Sequence, residues 1–370
     1  MARDWRAALA HDPVAPLLSV PNPSIVFFAR RDLCRESRLD VRTLWELEGA
    51  ARLLRRQAPD GSWQFASNMP GVDYGEDYTQ LETFRRMGQL IEVFGLDRSH
   101  PALERAAEYL FGCQTSEGDF RGIYGRQYAT TYTGAIAELL VKAGYAEDPR
   151  LEKCFEWLLY MRQEDGGWAI PLRTVGLELR HSMGKGRVAE PDRSKPFSHL
   201  VTGMVLRAFA AHPVWRRSEA ALRAGHLLAS RFFERDRYAD RSSAAHWEST
   251  SFPFWFTDIV SALDSLTRIG IRATDRPGTD SSVHSPHLGQ GTQSPPGRMA
   301  EGLEWLRSRQ LADGLFAINL LKNRSLPDLP AWVSLAVCRV FARVAGGRAQ
   351  RPACLAPAAA TSRKRPAFTS

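Results

Sequence analysis

The sequence predicts an all-α fold, an α/α toroid of about five to six antiparallel helical hairpins with inner and outer rings of helices. Three observations predict it. A turn built from Gln, then Gly, then an aromatic recurs along the chain. Each turn is followed by an apolar helix that opens around a Ser or Thr. Several of those helices stop at a Gly.

The turn reads Leu54-Arg-Arg-Gln57-Ala-Pro-Asp60-Gly61-Ser-Trp63 and returns as Gln114-Thr-Ser-Glu117-Gly118-Asp-Phe120. Its clearest copy is Gln163-Glu-Asp165-Gly166-Gly167-Trp168, and a late copy is Gln310-Leu-Ala-Asp313-Gly314-Leu-Phe316. Helix termination explains the spelling. The last carbonyls of a helix lack partners, Gly supplies the left-handed stop, the Gln amide can reach loose backbone groups, and the aromatic covers the corner. The fourth unit has lost the pattern and carries Arg231-Phe-Phe-Glu-Arg instead.

The second column contains Thr79, Thr133, Thr202, Thr257 and Ser334, and the stops are Gly95, Gly144, Gly270 and Gly346. Together they place outer helices near 41–57, 101–114, 149–163, 216–235 and 299–310. Inner helices fall near 78–94, 130–144, 199–212, 254–269 and 330–345. The outer set is amphipathic and rich in Arg and Glu. The inner set is apolar on more of its circumference, which marks the buried layer.

Outside the repeat, residues 1–40 read as an N-terminal extension. Asn22 caps a short helix from Ile25 to Leu33 that packs on the ring. The toroid spans 41–346. Residues 273–298 read as a flexible insert within it, and residues 347–370 as a disordered basic tail. Residues 171–196 form a loop long enough to suggest function.

Composition excludes several classes. Of 370 residues, 44% are hydrophobic and 24% charged, as expected for a globular chain with a sizeable core. No run of 18 apolar residues predicts a membrane span, and residues 1–20 lack the apolar segment of a secretory signal. The five cysteines are scattered and odd in number, which argues against a disulfide framework and for a reducing cytoplasm. The net charge of +8 comes from Arg spread among Asp and Glu, so nucleic acid is not the expected partner.

The Gln-x-x-Asp-Gly-x-Trp turns and the inner helices that follow resemble the repeats of squalene cyclases, other terpenoid cyclases and protein prenyltransferase β subunits, over roughly 40–345. Asn22-Pro-Ser-Ile-Val-Phe-Phe-Ala-Arg-Arg-Asp-Leu33 and Ser251-Phe-Pro-Phe-Trp-Phe-Thr-Asp258 are similar to an uncharacterised bacterial and archaeal branch of these prenyltransferase or squalene-oxidase repeat proteins. The resemblance implies a closed ring with an apolar central cavity and an isoprenoid or other apolar small molecule as partner. The family's chemistry is not spelled here. The Asp-x-Asp-Asp acid and the Asp-Asp-x-x-Asp magnesium motif are both absent, and Asp73-Tyr-Gly-Glu76-Asp77 has different spacing. Asp32-Leu-Cys34 precedes the repeats, and Cys338 has no evident Asp and His partners, so neither metal nor cofactor is expected.

Position then nominates residues. In such a ring the cavity mouth lies at the N-terminal ends of the inner helices. Asp258, Asp77 and His199 are the candidate acid–base groups there, each with a helix-cap or buried-core reading beside it. Tyr78, Tyr128, Tyr132, Trp247, Glu248, Trp255 and Trp332 are candidate wall residues, and Arg126 and His181 sit on loops facing the same side. Three functions follow: an isoprenoid cyclase or prenyl-transfer enzyme, a toroid binding a lipid-like or peptide ligand without chemistry, and a carbohydrate-active barrel using Glu248 with Asp77 or Asp258.

Overall fold

The computed structural model describes residues 4–65, 77–178, 187–238, 243–273, 298–321 and 326–346. Its helices alternate between two layers. The outer ones are α1 (Val14–Ser19), α3 (Glu48–Leu54), α5 (Pro101–Gly112), α7 (Pro149–Tyr160), α9 (Glu219–Ala229) and α11 (Arg298–Ser308). The inner ones are α2 (Pro23–Asp32), α4 (Tyr78–Phe94), α6 (Thr130–Leu140), α8 (His199–Ala211), α10 (Ile259–Ile269) and α12 (Leu329–Gly346).

Local chemistry starts these helices. Asn22, Asp77, Asp148, Ser198, Ser218 and Asp258 each accept a backbone N–H at an N-terminus, and Pro occupies the first position of α2, α5 and α7. Gly95 and Gly270 end α4 and α10 in the left-handed conformation. The expected boundaries shift in three places. Residues 41–57 split into a 3-10 turn, Val41–Leu44, and the short α3. The fourth outer helix shrinks from 216–235 to α9. The inner helix expected from 254 starts only at Ile259, where Asp258 provides the cap.

The inner helices pack in the order α2, α4, α6, α8, α10, α12, and α12 then meets α2. The ring is therefore closed, by six hairpins, within the expected five to six. The N-terminal helix does more than pack on the ring: α2 fills the gap between α12 and α4. Arg339 on α12 reaches Asp32 on α2 at 2.6 Å, and the Phe28 and Trp332 rings lie 5.9 Å apart across the same seam.

The recurring turn fastens each hairpin to the next. The amide nitrogen of Gln57 donates to Gly61 O of its own turn and to Ala102 O of α5. Gln114 does the same for Gly118 O and Arg150 O of α7. Gln310 repeats the pattern with Gly314 O and His11 O, just before α1, so the last turn holds the first hairpin. Gly61, Gly118 and Gly314 also press on the neighbouring hairpin's backbone, while Gly166 meets the Arg223 side chain. A Cβ on Gly118, at φ +110°, would lie 2.6 Å from Lys153 O. The Ser and Thr column takes up the aromatic's own amide: Phe120 N donates to Thr133, Trp168 N to Thr202 and Phe316 N to Ser334. In the first repeat the acceptor is Thr83, one helical turn beyond the expected Thr79. The degenerate fourth turn improvises. Phe233 adopts φ 60° without glycine, and Trp247 supplies the corner aromatic, donating its indole N–H to Glu234 O.

By length and composition α12 could cross a membrane, but most of it is buried between α10 and α2. The expected insert lies, apart from residues 273 and 298, outside the described residues, as do the expected tail and His181.

Candidate functional site

All six inner helices point the same way around the ring, so their N-terminal ends share one mouth and their C-terminal ends the other. The two mouths differ in chemistry.

At the N-terminal mouth, the segment Phe252–Phe256 crosses from α10 toward the opposite wall. Its Trp255 ring lies 5.4 Å from Phe84 on α4 and 6.3 Å from Tyr132 on α6, which are 6.2 Å from each other. Tyr124 adds an edge contact to Tyr132 at 5.4 Å. The Arg85 guanidinium stands 5.0 Å from the Trp255 ring, within range of cation–π attraction. Phe252 at the other end of the segment stacks on Trp332 at 4.8 Å.

Around this cluster the nominated residues separate. Tyr132 and Trp255 belong to it. Trp332 is fully buried at the α12–α2 seam, Trp247 covers the fourth turn, and half-buried Tyr78 packs on Phe65. Tyr128 turns toward the outer layer, donating to Glu117 at 2.7 Å and lying 5.6 Å from Trp157 on α7. Glu248 is half-buried and 3.8 Å from Arg309 just after α11, and Arg126 is exposed. The carboxylates of Glu248, Asp77 and Asp258 serve three different local structures: Glu248 faces Arg309, and Asp77 and Asp258 cap α4 and α10.

Asp77 and Asp258 are each committed to a helix end, and His199 to a buried stack. Asp77 accepts from Gln80 N at 2.7 Å. Asp258 is buried and accepts from Val260 N and Ser261 N, while Ser261 Oγ receives Asp258 N, completing a reciprocal capping box. Burial pushes its carboxyl up to about 6, against the opposing pull of the Ser261 N–H, the Thr250 and Ser261 hydroxyls and the Arg207 charge. His199 stacks on Trp247 at 4.7 Å, with Nδ1 3.3 Å from Asp236. Burial lowers its imidazole to about 4, although Asp236 pulls the other way. A Ser, a His and an Asp thus meet, but not as a relay to a nucleophile. Ser198 donates its hydroxyl to Asp236 and accepts Val201 N.

At the C-terminal mouth the ring carries a belt of ion pairs. Lys142 on the turn after α6 bridges Glu92 on α4 and Glu138 on α6, and Glu138 also receives Arg207 of α8 at 2.8 Å. Asp264 on α10 pairs with Arg268 at 2.7 Å and with Arg343 of α12. The belt continues through Arg339 and Asp32. Burial opposes the charge on Asp264, yet Arg268 and Arg343 hold its carboxyl far below the usual range. Opposite walls also feel each other, since Glu92 and Glu138 help keep Arg268 protonated. The cationic surplus suits six converging helix C-termini, whose dipoles present negative ends there.

Several of these residues escaped sequence reasoning: Phe84, Tyr124, Arg85, Asp236 and the whole belt. A signal for part of it exists. Glu82, Arg85, Gln89 and Glu92 recur at helical spacing on α4, which puts a polar stripe on one face of a helix otherwise apolar enough to be buried.

Comparison with known proteins agrees with the repeats. The squalene–hopene cyclase C-terminal domain family matches residues 57–187. A probable squalene–hopene cyclase of Sinorhizobium fredii is 24% identical over 173 residues, covering 44% of this chain and 26% of the relative. A squalene–hopene cyclase of Zymomonas mobilis is 26% identical over 111 residues, covering 30% and 17%. The chain therefore spans about a quarter or less of the curated relatives it matches. A solved type II terpene cyclase from Scytonema, in complex with geranylgeranyl dihydroxybenzoate, is 11% identical with a TM-score of 0.37, covering 89% of this chain and 100% of that one. A protein from Actinoplanes is 16% identical with a TM-score of 0.39, covering 82% and 88%. Structural likenesses at this level carry no inference about the site.

Proposed function

We propose that this terpenoid cyclase-like chain holds an isoprenoid, or a similarly chain-like apolar molecule, at the N-terminal mouth of its ring. The carrying observation is the convergence of Phe84, Tyr132 and Trp255 from three parts of the inner ring onto one spot. Aromatic faces bind extended hydrocarbon well and contribute most of the apolar contact area in such sites. The charged belt at the other mouth favours entry on the aromatic side, because an apolar chain crossing it would separate buried ion pairs. The names of the matched relatives, squalene–hopene cyclases, support the ligand class.

Binding is the better supported half of the reading, because the carboxylates and the imidazole near the mouth are engaged in capping and stacking. One observation favours chemistry as a second reading. A carboxyl near 6 is partly protonated at neutral pH, so Asp258 could deliver a proton to an alkene held beside it. One experiment tests both. Asn caps helices about as well as Asp, so Asp258→Asn leaves the fold in place. The wild type, Asp258→Asn and Trp255→Ala are incubated with squalene and geranylgeraniol; bound lipid is quantified by mass spectrometry and products by gas chromatography. Binding that Trp255→Ala lowers at least ~tenfold and Asp258→Asn leaves intact is expected. Products made only by proteins with Asp258 would establish the acid role, and lipid retention indifferent to Trp255 would refute the site.

A further inference from the structure

Three of the four turns that keep the Gln and Gly close directly onto the next hairpin, since Gln57, Gln114 and Gln310 each reach one of its backbone carbonyls. The third turn does not. Gln163 donates to Asp192 O at 2.8 Å and Lys195 O at 2.9 Å, on the loop that precedes α8. Gly166, at φ +103°, meets a side chain of α9 where the other turn glycines meet backbone. Long side chains therefore bridge the junction between the third turn and α9, and three of them are arginines.

Arg162 stands in the turn, Arg193 on the inserted loop and Arg223 on α9. All three are held on carbonyls of the same turn. Arg162 Nε donates to Gly166 O at 3.1 Å and Arg193 Nε to Arg162 O at 2.8 Å. Arg223 Nε and Nη2 donate to Asp165 O at 2.8 Å and Glu164 O at 3.0 Å. A Cβ on Gly166 would stand 2.5 Å from Arg223 Nε and 2.9 Å from Arg162 Nη2, so these two guanidinium groups flank one point. Both terminal nitrogens of Arg162 and Arg193, and Nη1 of Arg223, have no acceptor among the described residues.

Gathering like charges costs free energy unless a counter-charge offsets it. On α7, Arg150 has that offset in Glu108 and Asp148, each at 2.7 Å. Among the described residues no carboxylate forms an ion pair with any of the three junction arginines. Asp165 is occupied in accepting Gly167 N and Phe197 N, and Glu164 and Glu219 are exposed. Burial lowers the proton affinity of Arg162, and the Arg223 and Arg193 charges lower it further, against the pull of Glu219 and Asp165. Guanidinium forks match the oxygens of a phosphate, and forks already fixed at Nε lose little freedom in gripping one. We propose that the junction of the third turn, the loop 187–196 and α9 binds a phosphate group, held by the free edges of Arg162, Arg193 and Arg223. The exposed Tyr160 ring, 5.9 Å from the Arg193 guanidinium, offers a surface to the remainder of a phosphate ester. The bound group ties together three segments that direct packing leaves apart, and the site is independent of the ring's own ligand.

The test uses the full chain and two probes: inorganic phosphate in titration calorimetry for a free anion, and flotation with phosphatidylcholine vesicles containing phosphatidate for a lipid headgroup. Chloride at matched ionic strength is the reference. Arg193 is exposed and makes one backbone tie, so Arg193→Ser keeps the fold, which circular dichroism checks; Arg193→Gln, which retains a donor for Arg162 O, repeats the test. The wild type is expected to bind at least one probe. Both variants should weaken that binding at least ~tenfold, while Trp255→Ala and the remote Arg55→Ala leave it unchanged. If the free anion is the ligand, phosphate should also raise the melting temperature of the wild type more than that of either variant, because a ligand of the folded state alone stabilises it. Binding of inorganic phosphate identifies a free-anion site, and phosphatidate-dependent flotation alone identifies a headgroup site. If neither probe binds beyond the chloride reference, or both variants bind as the wild type does, the proposal is overturned.

Discussion

Two buried titratable side chains with opposite behaviour sit near the same mouth. His199 has its proton affinity lowered by burial to about 4, so its contribution to stability is complete above 6.5, the unfolded value, and is lost as pH falls through 4. Asp258 is raised to about 6, so its contribution is complete below 3.8 and is lost as pH rises through 6. Each amounts to roughly 3 kcal/mol at its limit, and over pH 4–6.5 they oppose each other. His212 adds to the acid-sensitive side: burial lowers it, and its Nδ1 must stay unprotonated to accept Val214 N and Trp215 N. Urea unfolding across this window should show a shallow pH dependence for the wild type. Asp258→Asn should unmask a steep loss of stability toward pH 4, and His199→Gln should tilt the profile the other way. Parallel profiles for all three proteins would mean these groups titrate in the folded chain as they do in water. Neither shift was readable in the sequence, where an Asp before an apolar helix spells an ordinary cap and a His after a Ser an ordinary buried side chain.

Among the elements, the turn was the most legible part of the chain, and the reason is chemical economy. Gln, Gly and an aromatic each do one backbone job, so the spelling survives wherever the job does. Gln114 satisfies two carbonyls, one on its own turn and one at the start of α7. Gln114→Ala should cost about 1–3 kcal/mol, since both carbonyls lose a partner in a part-buried place. Denaturation midpoints read this directly, and a loss below the error of the measurement would show that water replaces the amide at no cost. The boundaries that sequence misplaced lie where a job passed to another residue. The fourth turn uses Phe233 and Trp247 in place of Gly and the turn aromatic, and the first repeat moves its hydroxyl from Thr79 to Thr83. Periodicity cannot see such substitutions, because the contact is kept while the spelling is not.

For the molecule as a whole, ring closure is the property that no single repeat encodes. The expected fold and its five repeated inner helices followed from pattern alone. The sixth did not, because α1 and α2 carry neither turn nor Thr column, and only packing shows them completing the circle. Closure rests on Gln310 holding His11, on Arg339 reaching Asp32, and on the Phe28–Trp332 contact. Each end of an open arc would expose the apolar flank of α4 or α12, surfaces that elsewhere in the ring are covered by a neighbouring inner helix. Breaking the seam should therefore change association state more than secondary structure. Asp32→Ala leaves the part-buried Arg339 without its carboxylate, a loss of about 1.5–3 kcal/mol, the range for a hydrogen bond to a charged group, and Phe28→Asp adds a charge beside Trp332. The double variant is expected to keep its helical circular dichroism while forming oligomers in analytical ultracentrifugation, as exposed flanks of α4 and α12 find each other between copies. A monomer with unchanged thermal stability would show that the five repeated hairpins hold their curvature without the sixth, and that closure is a consequence of repeat geometry instead of its support.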